Sequence, residues 1–444
     1  MTCAQDPLEV GQVLDVDIGP VAHGGHCVAR HEGRVLFVRH ALPGERARVQ
    51  VTGGRAKGRF WRADAIEVLR ASADRVQAPC PYARPGGCGG CDFQHVALPA
   101  QRALKAQVVR EQLSRLGGVE VDVVVEEVDG EGVDAGRGLG WRTRVQFAVA
   151  PDGEPGLHAH RSHRVVPVRQ CLIAHPKVSA LGLTGQRWPG AGQVEGIVSA
   201  AGTDAMVLVT ALPGRATSRL PVLPPGTSVL VDDGAGPQQV RGRTWLAEPV
   251  VLDGEAAALR VSGSGFWQVH PGAPAALVGA VLEQVDPRPG QRVLDLYAGV
   301  GLFTAALARR VGEQGEVLLV EADERAIKDA RRNLHGRTGV RIEHGRTEHV
   351  LAHLLGQRQL GRGARPVNAV VLDPPRSGAG RRVLEQLARL SPAVISYIAC
   401  DPAALGRDTA LLVGLGYRLD ALRALDLFPQ THHVECVARF VPIG

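Results

Sequence analysis

The chain is short of aromatic residues and almost without methionine: Phe, Trp and Tyr make up 4% of 444 residues and Met occurs twice. With many arginines beside them, these shortages read as a coding bias and carry no function. No run of about 18 apolar residues occurs, which argues against a membrane span. The N-terminus, MTCAQDPLEV, has neither a basic start nor an apolar core, so nothing points to export. Eight cysteines are too few for a secreted disulfide scaffold of this length, and a reducing cytoplasm fits better. What is present is an apolar fraction of 45%, enough for real cores, in a chain long enough for two or three domains.

The net charge of +6 is modest but unevenly spread. Between Arg30 and Arg70 stand ten Lys or Arg against four acids, a local basic surface suited to phosphate backbones. A solvated basic face is the plain alternative. Residues 8–70 alternate apolar and polar in short runs broken by glycine turns, which predicts a small β-barrel over 1–71. Three cysteines amid Pro and Gly follow, then a helical period between Pro99 and Gly117-Gly118. The middle, 72–260, reads as strand- and turn-rich, with WRTRVQFAVAPDG and AMVLVTAL its clearest strands. From about 261 to 444, strands alternate with helices: QRVLDLYAG, EVLLVEAD, VRIEHG, VNAVVLDPP, VISYIACDP and VECVARFV. That alternation predicts a largely parallel, doubly wound α/β sheet with ligands beyond the strands' carboxyl ends.

Asp295, Glu321, Asp373 and Cys400 all fall at predicted strand ends. Asp295-Leu-Tyr297-Ala-Gly299-Val-Gly301 follows one strand and opens a helix, with Glu321 ending the next, where an acid commonly receives ribose hydroxyls. The missing third phosphate-loop glycine favours S-adenosylmethionine over a dinucleotide. Asp373-Pro-Pro-Arg376 resembles tetrapeptides of amino methyltransferases, but Arg376 replaces their aromatic residue, which argues against transfer to an exocyclic amine. In SYIACDPAALGRD, Cys400 ends the apolar strand just before Asp401-Pro402; alone, it fits packing at least as well as chemistry. Glu435 interrupts the apolar run HHVECVARF, where a carboxylate is costly unless used or paired. Cys80, Cys88, Cys91 and Cys171 make a four-thiolate set for an iron–sulfur cluster or zinc, and spacing does not choose between them.

Together these motifs resemble the RNA uridine-C5 methyltransferases, over nearly the whole chain. AHGGHCVARHEGRVLFVRHALPGERARV looks like a TRAM domain, an RNA-binding, OB-like barrel. CPYARPGGCGGCDFQH with Cys171 looks like the family's [4Fe–4S] set, with zinc as the alternative. GFWQVHPGA resembles a cofactor-side Phe-x-Gln-Val-Asn motif in which Gln268 matches the Gln. DLYAGVGLFT, DPPRSG, SYIACDPAALGRD and DLFPQTHHVECVARF follow in order.

The resemblance implies a Rossmann-like class I methyltransferase domain (261–444), an N-terminal barrel (1–71) and a central α+β domain (72–260) whose helix at 97–118 packs on the catalytic domain. It assigns Cys400 as nucleophile and Glu435 as base. Gln268, Tyr297, Gly299, Gly301, Glu321 and Asp373 fall to the cofactor and uracil pocket. A thiolate adding to C6 of uracil makes C5 nucleophilic, and a base must then remove the C5 proton. The expected partner is RNA, ribosomal 23S first and transfer RNA second, acted on by a cytoplasmic monomer. An exocyclic-amine methyltransferase and a non-catalytic RNA-binding iron–sulfur protein stay open as rivals. Three departures stand out: seven residues in the first cysteine gap, His270 in place of Asn, and Leu302 after the glycine turn.

Overall fold

The computed structural model describes residues 8–54, 60–215, 220–359 and 365–443. Arg55, Lys57 and Arg59 of the basic segment, and Cys3, lie outside these residues. β1 (Val13–Ala22), β2 (His26–His31), β3 (Arg34–Arg39), β4 (Arg46–Gly54) and β5 (Phe60–Arg70) close into a barrel in the order β1-β2-β3-β5-β4. Alternate residues such as Leu14, Val16 and Ile18, or Ala47, Val49 and Val51, fill its interior, the two-residue period of a strand. Part of the basic excess is neutralised on the barrel itself, since Arg48 pairs with both Asp15 and Glu67.

The predicted helix is α1 (Leu98–Gln112), continued by a π-type turn at Leu113–Gly117 and stopped by Gly118 at φ 66°. It packs on the catalytic side so closely that a Cβ on Gly406 would lie 2.6 Å from the Gln112 carbonyl. A short strand, β6 (Val125–Glu127), then joins the catalytic sheet beside Ala424–Asp426. It is too short to show a period, so the sequence did not announce it.

The middle of the chain builds one seven-stranded sheet, ordered β13-β12-β11-β10-β7-β8-β9. Its strands are β7 (Arg144–Val149), β8 (Pro155–His158), β9 (Val165–Pro167), β10 (Ala191–Val198), β11 (Ala205–Ala211), β12 (Ser228–Asp232) and β13 (Pro237–Arg241), with the short helix α2 (Pro176–Ser179) inserted. Phe147, Trp188, Val194 and Val207 centre its core. A hairpin of β14 (Trp245–Leu252) and β15 (Glu255–Ser262) follows. Val250, Leu252, Leu259 and Val261 of that hairpin pack with Leu277 and Val281 of α3 (Ala273–Val285), so the expected boundary at 260 falls inside β15.

The catalytic part runs β16 (Arg292–Leu296), α4 (Leu302–Val311), β17 (Glu316–Glu321), α5 (Glu324–Asn333), β18 (Val340–His344), α6 (Thr347–Gln359), β19 (Ala369–Leu372), α7 (Gly380–Leu390), β20 (Val394–Ala399), α8 (Pro402–Gly414), β21 (Tyr417–Asp426) and β22 (Glu435–Pro442). The sheet order is β18-β17-β16-β19-β20-β22-β21-β6. β16 and β19 are buried along their whole length, as strands covered on both faces must be. The five strands from β18 to β20 are parallel, whereas β22 runs antiparallel to both neighbours. No helix among the described residues is long and apolar enough to cross a membrane.

Candidate active site

The reversed direction of β22 brings its first residue to the edge where the parallel strands end. Ala399 pairs with Cys436 across β20 and β22. One step beyond that pair, Cys400 faces Glu435, so nucleophile and base candidates are cross-strand neighbours. Leu372 pairs with Leu296 and with Tyr397, which sets Asp373 beside Tyr297 on the same edge. Asp401 fixes the exit after Cys400: it caps α8 by accepting the Ala404 N–H at 2.8 Å, with Pro402 opening the helix.

One cleft of about 1040 Å³ gathers Gln268, Tyr297, Gly299, Glu321, Asp373, Cys400 and Glu435 along its wall. Gly301 does not line it. That glycine caps α4 at φ 91°, and a Cβ there would press 3.0 Å from Leu334, so its role is to let the turn pack on the core. Glu321 is held rigid: one carboxylate oxygen accepts the Gly299 N–H at 2.9 Å, the other those of Ala322 and Asp323 at 2.6 and 2.8 Å. A Cβ on Gly299 would meet nothing within 4 Å, so the turn is open to a ligand.

The acids behind this edge are starved of water. Burial pushes Asp295 up to about 7 against its bond from Thr304, and its Oδ1 has no partner. Burial, and then the neighbouring Asp295, raises Asp373. Burial and then Asp373 hold Glu435 well above the usual carboxylate range, with Arg376 opposing. The Cys400 thiol is pushed up to about 11, by burial first and Glu435 second, again with Arg376 opposing. Arg376 therefore favours charge on both Cys400 and Glu435.

His270, the residue in place of Asn, is buried and stacks on Trp141 at 6.2 Å, while its Nδ1 accepts the Gly272 N–H at 3.1 Å. Trp141, Arg142, Phe428 and His433 also line the cleft. The sequence offered WRTR only as the start of a strand. An Arg beside a Trp was the missed signal, and the guanidinium of Arg142 lies 5.7 Å from that ring centre.

The four cluster cysteines are brought into one neighbourhood. Burial raises Cys91 and Cys171, and the other thiols add to it, Cys88 and Cys80 acting on Cys91 and Cys88 on Cys171. Cys88 Sγ accepts the Gly90 N–H at 3.3 Å and Cys91 Sγ the Gln94 amide at 3.5 Å, donors that suit thiolates. Among the described residues no group of three or more His, Cys, Asp or Glu stands in an arrangement that holds a metal ion.

A Rossmann-like sheet with an acid at the second strand end and an open glycine turn defines an S-adenosylmethionine-dependent methyltransferase, here carrying a barrel at its N-terminus. Residues 7–66 match the TRAM domain model, and residues 238–440 match the model for tRNA (uracil-5-)-methyltransferase. A Streptomyces avermitilis protein described as an uncharacterized RNA methyltransferase is 48% identical over 98% of this chain and 99% of its own. A Shewanella sp. (strain MR-4) 23S rRNA (uracil(1939)-C(5))-methyltransferase, RlmD, is 32% identical over 94% and 93%. The solved structure of Pyrococcus abyssi tRNA (uracil-54, C5)-methyltransferase, in complex with S-adenosyl-L-homocysteine, overlays with TM-score 0.69 at 23% identity, covering 96% of this chain and 99% of that one. The chain belongs to the RNA (uracil-5-)-methyltransferase family.

Proposed function

We propose that the protein methylates C5 of one uridine in 23S ribosomal RNA, with Cys400 as nucleophile and Glu435 as base. The observation that carries this is the juxtaposition of Cys400 and Glu435 across β20 and β22, at the end of the cleft that Glu321 and Gly299 open. The 32% identity to a named 23S enzyme over nearly the full chain supports the ribosomal substrate. The target uridine must leave its stack to reach a thiol at the sheet edge.

The Cys400 thiolate attacks C6, forming an S–C6 bond while the C5=C6 electron pair moves toward O4 as an enolate. S-adenosylmethionine, held by Glu321, Gly299, Tyr297 and Gln268, supplies a methyl group to C5 when bound. The Glu435 carboxylate then takes the C5 proton, the double bond re-forms and the S–C6 bond breaks, releasing the Cys400 thiolate. Asp373, half-buried beside Tyr297 on the cleft wall, shapes the pocket between cofactor and base edge. Cys80, Cys88, Cys91 and Cys171 would hold a [4Fe–4S] cluster, with zinc the second reading; no redox step enters this chemistry, and the cluster's part is to order the RNA-facing loop. We place the enzyme in the cytoplasm as a monomer.

RNA bearing 5-fluorouridine at the target tests the mechanism, because fluorine cannot leave C5 as a proton does. A stable enzyme–RNA adduct that resists denaturing electrophoresis is expected with the wild type and absent in Cys400→Ala. Methylation by Cys400→Ala at an undiminished rate would sink the mechanism. Mapping 5-methyluridine in ribosomal RNA from a strain lacking the protein tests the substrate.

A further inference from the structure

The barrel does not stand off from the chemistry. Its β1–β2 turn reaches the residue that follows the nucleophile: His23 Nε2 lies 3.0 Å from Asp401 Oδ2, while the other oxygen of that carboxylate caps α8. Two residues on, Gly25 at φ +77° touches the last strand's approach. A Cβ there would lie 2.6 Å from the Cβ of His432, three residues before Glu435. Between these contacts is an enclosed space of about 90 Å³, walled by His23, Gly24 and Gly25 on the barrel side and by Arg376, Cys400 and Asp401 on the other. The nucleophile thus sits between this space and the main cleft, since both are lined by Cys400, Arg376, His432 and His433.

We propose that the barrel turn is a wall of the methyl-transfer site, and that His23, acting through Asp401, is a positioning residue for Cys400. The barrel turn reaches the reaction through one carboxylate, which accepts from His23, fixes the start of α8 and follows the thiol in the chain. The charged and titratable groups around Cys400 are Glu435 of β22, Arg376 and Asp373 after β19, Asp401, Lys105 of α1, and the His432-His433 pair before β22. Asp401 opposes a thiolate at Cys400. A hydrogen bond from His23 draws that carboxylate's charge toward the barrel and holds its direction. Binding RNA on the barrel would therefore bear on the rate of the chemical step as well as on affinity.

The inference rests on Cys400 being the nucleophile, and two measurements keep the two claims apart. In the first, His23→Ala and His23→Gln are compared with wild type for RNA KM, kcat and the rate of adduct formation with 5-fluorouridine RNA. His23→Ala should lower kcat and adduct rate about fivefold, the worth of one hydrogen bond, with KM unchanged. Gln, which can still donate to Asp401, should restore most of the rate. In the second, the full-length protein without RNA is alkylated with iodoacetamide across a range of pH, and the Cys400 peptide is followed by mass spectrometry. The His23→Ala profile should move to higher pH. A raised KM with unchanged kcat would make the turn only an RNA contact and overturn the proposal. So would an alkylation profile identical to wild type, or losses in both variants that follow a lowered Tm. If wild type forms no adduct, the mechanism fails, and the alkylation arm still decides whether His23 governs the thiol.

Discussion

Lys105 and Asp426 meet 2.6 Å apart with their side chains 0% and 2% exposed, which pins α1 to the end of β21 by a buried ion pair. Lys105 Nζ also donates to the Phe428 carbonyl at 3.0 Å, so this contact shapes the loop that leads to Glu435. Lys105→Ala leaves Asp426 buried and unpaired, and should cost about 3–5 kcal/mol. Lys105→Met with Asp426→Leu should recover most of that loss. Urea unfolding of the three variants measures both.

Under the proposed mechanism, Glu435→Gln keeps the shape of the proposed base and removes its carboxylate. With ordinary target RNA and S-adenosylmethionine, it should accumulate a covalent enzyme–RNA species whose base is already methylated, because the C5 proton is not removed. Product release should fall by at least about a hundredfold. Electrophoresis and nuclease digestion of the trapped species distinguish this from simple loss of addition.

Arg376 favours charge on both Cys400 and Glu435. In the proposed mechanism both groups react in their deprotonated forms, and both are raised, so the rate should climb as pH rises through and above neutrality. Arg376→Met removes the opposing cation and should displace the whole profile upward by about one pH unit. The pH dependence of single-turnover methylation checks it.

Asp295 is raised to about 7 by burial. In the unfolded chain its pKa is that of an ordinary Asp, so between the two values the native state holds the extra proton. Its contribution to stability is complete below the unfolded value and is lost as pH rises through about 7. Asp295→Asn has no charge to bury, so its Tm relative to wild type should be higher at pH 8 than at pH 5. Calorimetry at the two pH values reads the difference directly.

The proposed cluster predicts that anaerobically purified protein carries about four irons and four sulfides per chain. Cys91→Ala should lose them together with broad visible absorbance, with Cys400 alkylation still measurable. Zinc in place of iron by elemental analysis would select the second reading.

The parallel strands were legible because residues buried on both faces leave continuous apolar runs such as VLLV and AVVL. The barrel was legible because a half-buried strand alternates. β21 was not: YRLDALRALD turns Arg418 and Asp420 outward but buries Asp426, and its register breaks between Leu419 and Ala421. Cys400 and Glu435 were found as motif residues, but their pairing comes from a strand reversal that no local pattern encodes. Gly301 lies off the cleft wall and packs near Leu334; a glycine needed for packing and one needed for a ligand look alike in sequence. His23 escaped notice because its partner lies 378 residues away.

β6 is three residues long, yet it ties the order of synthesis to the completion of the enzyme. It emerges early, with α1, and its partner β21 emerges only near the end of the chain. The N-terminal part must therefore wait, with Val123, Val125 and Leu113 lacking their permanent neighbours, until the last two strands arrive to bury them. Such long-range closure slows folding and leaves an apolar edge open during translation. A catalytic fragment cut at residue 261 would lack β6 and leave the β21 edge uncovered for good.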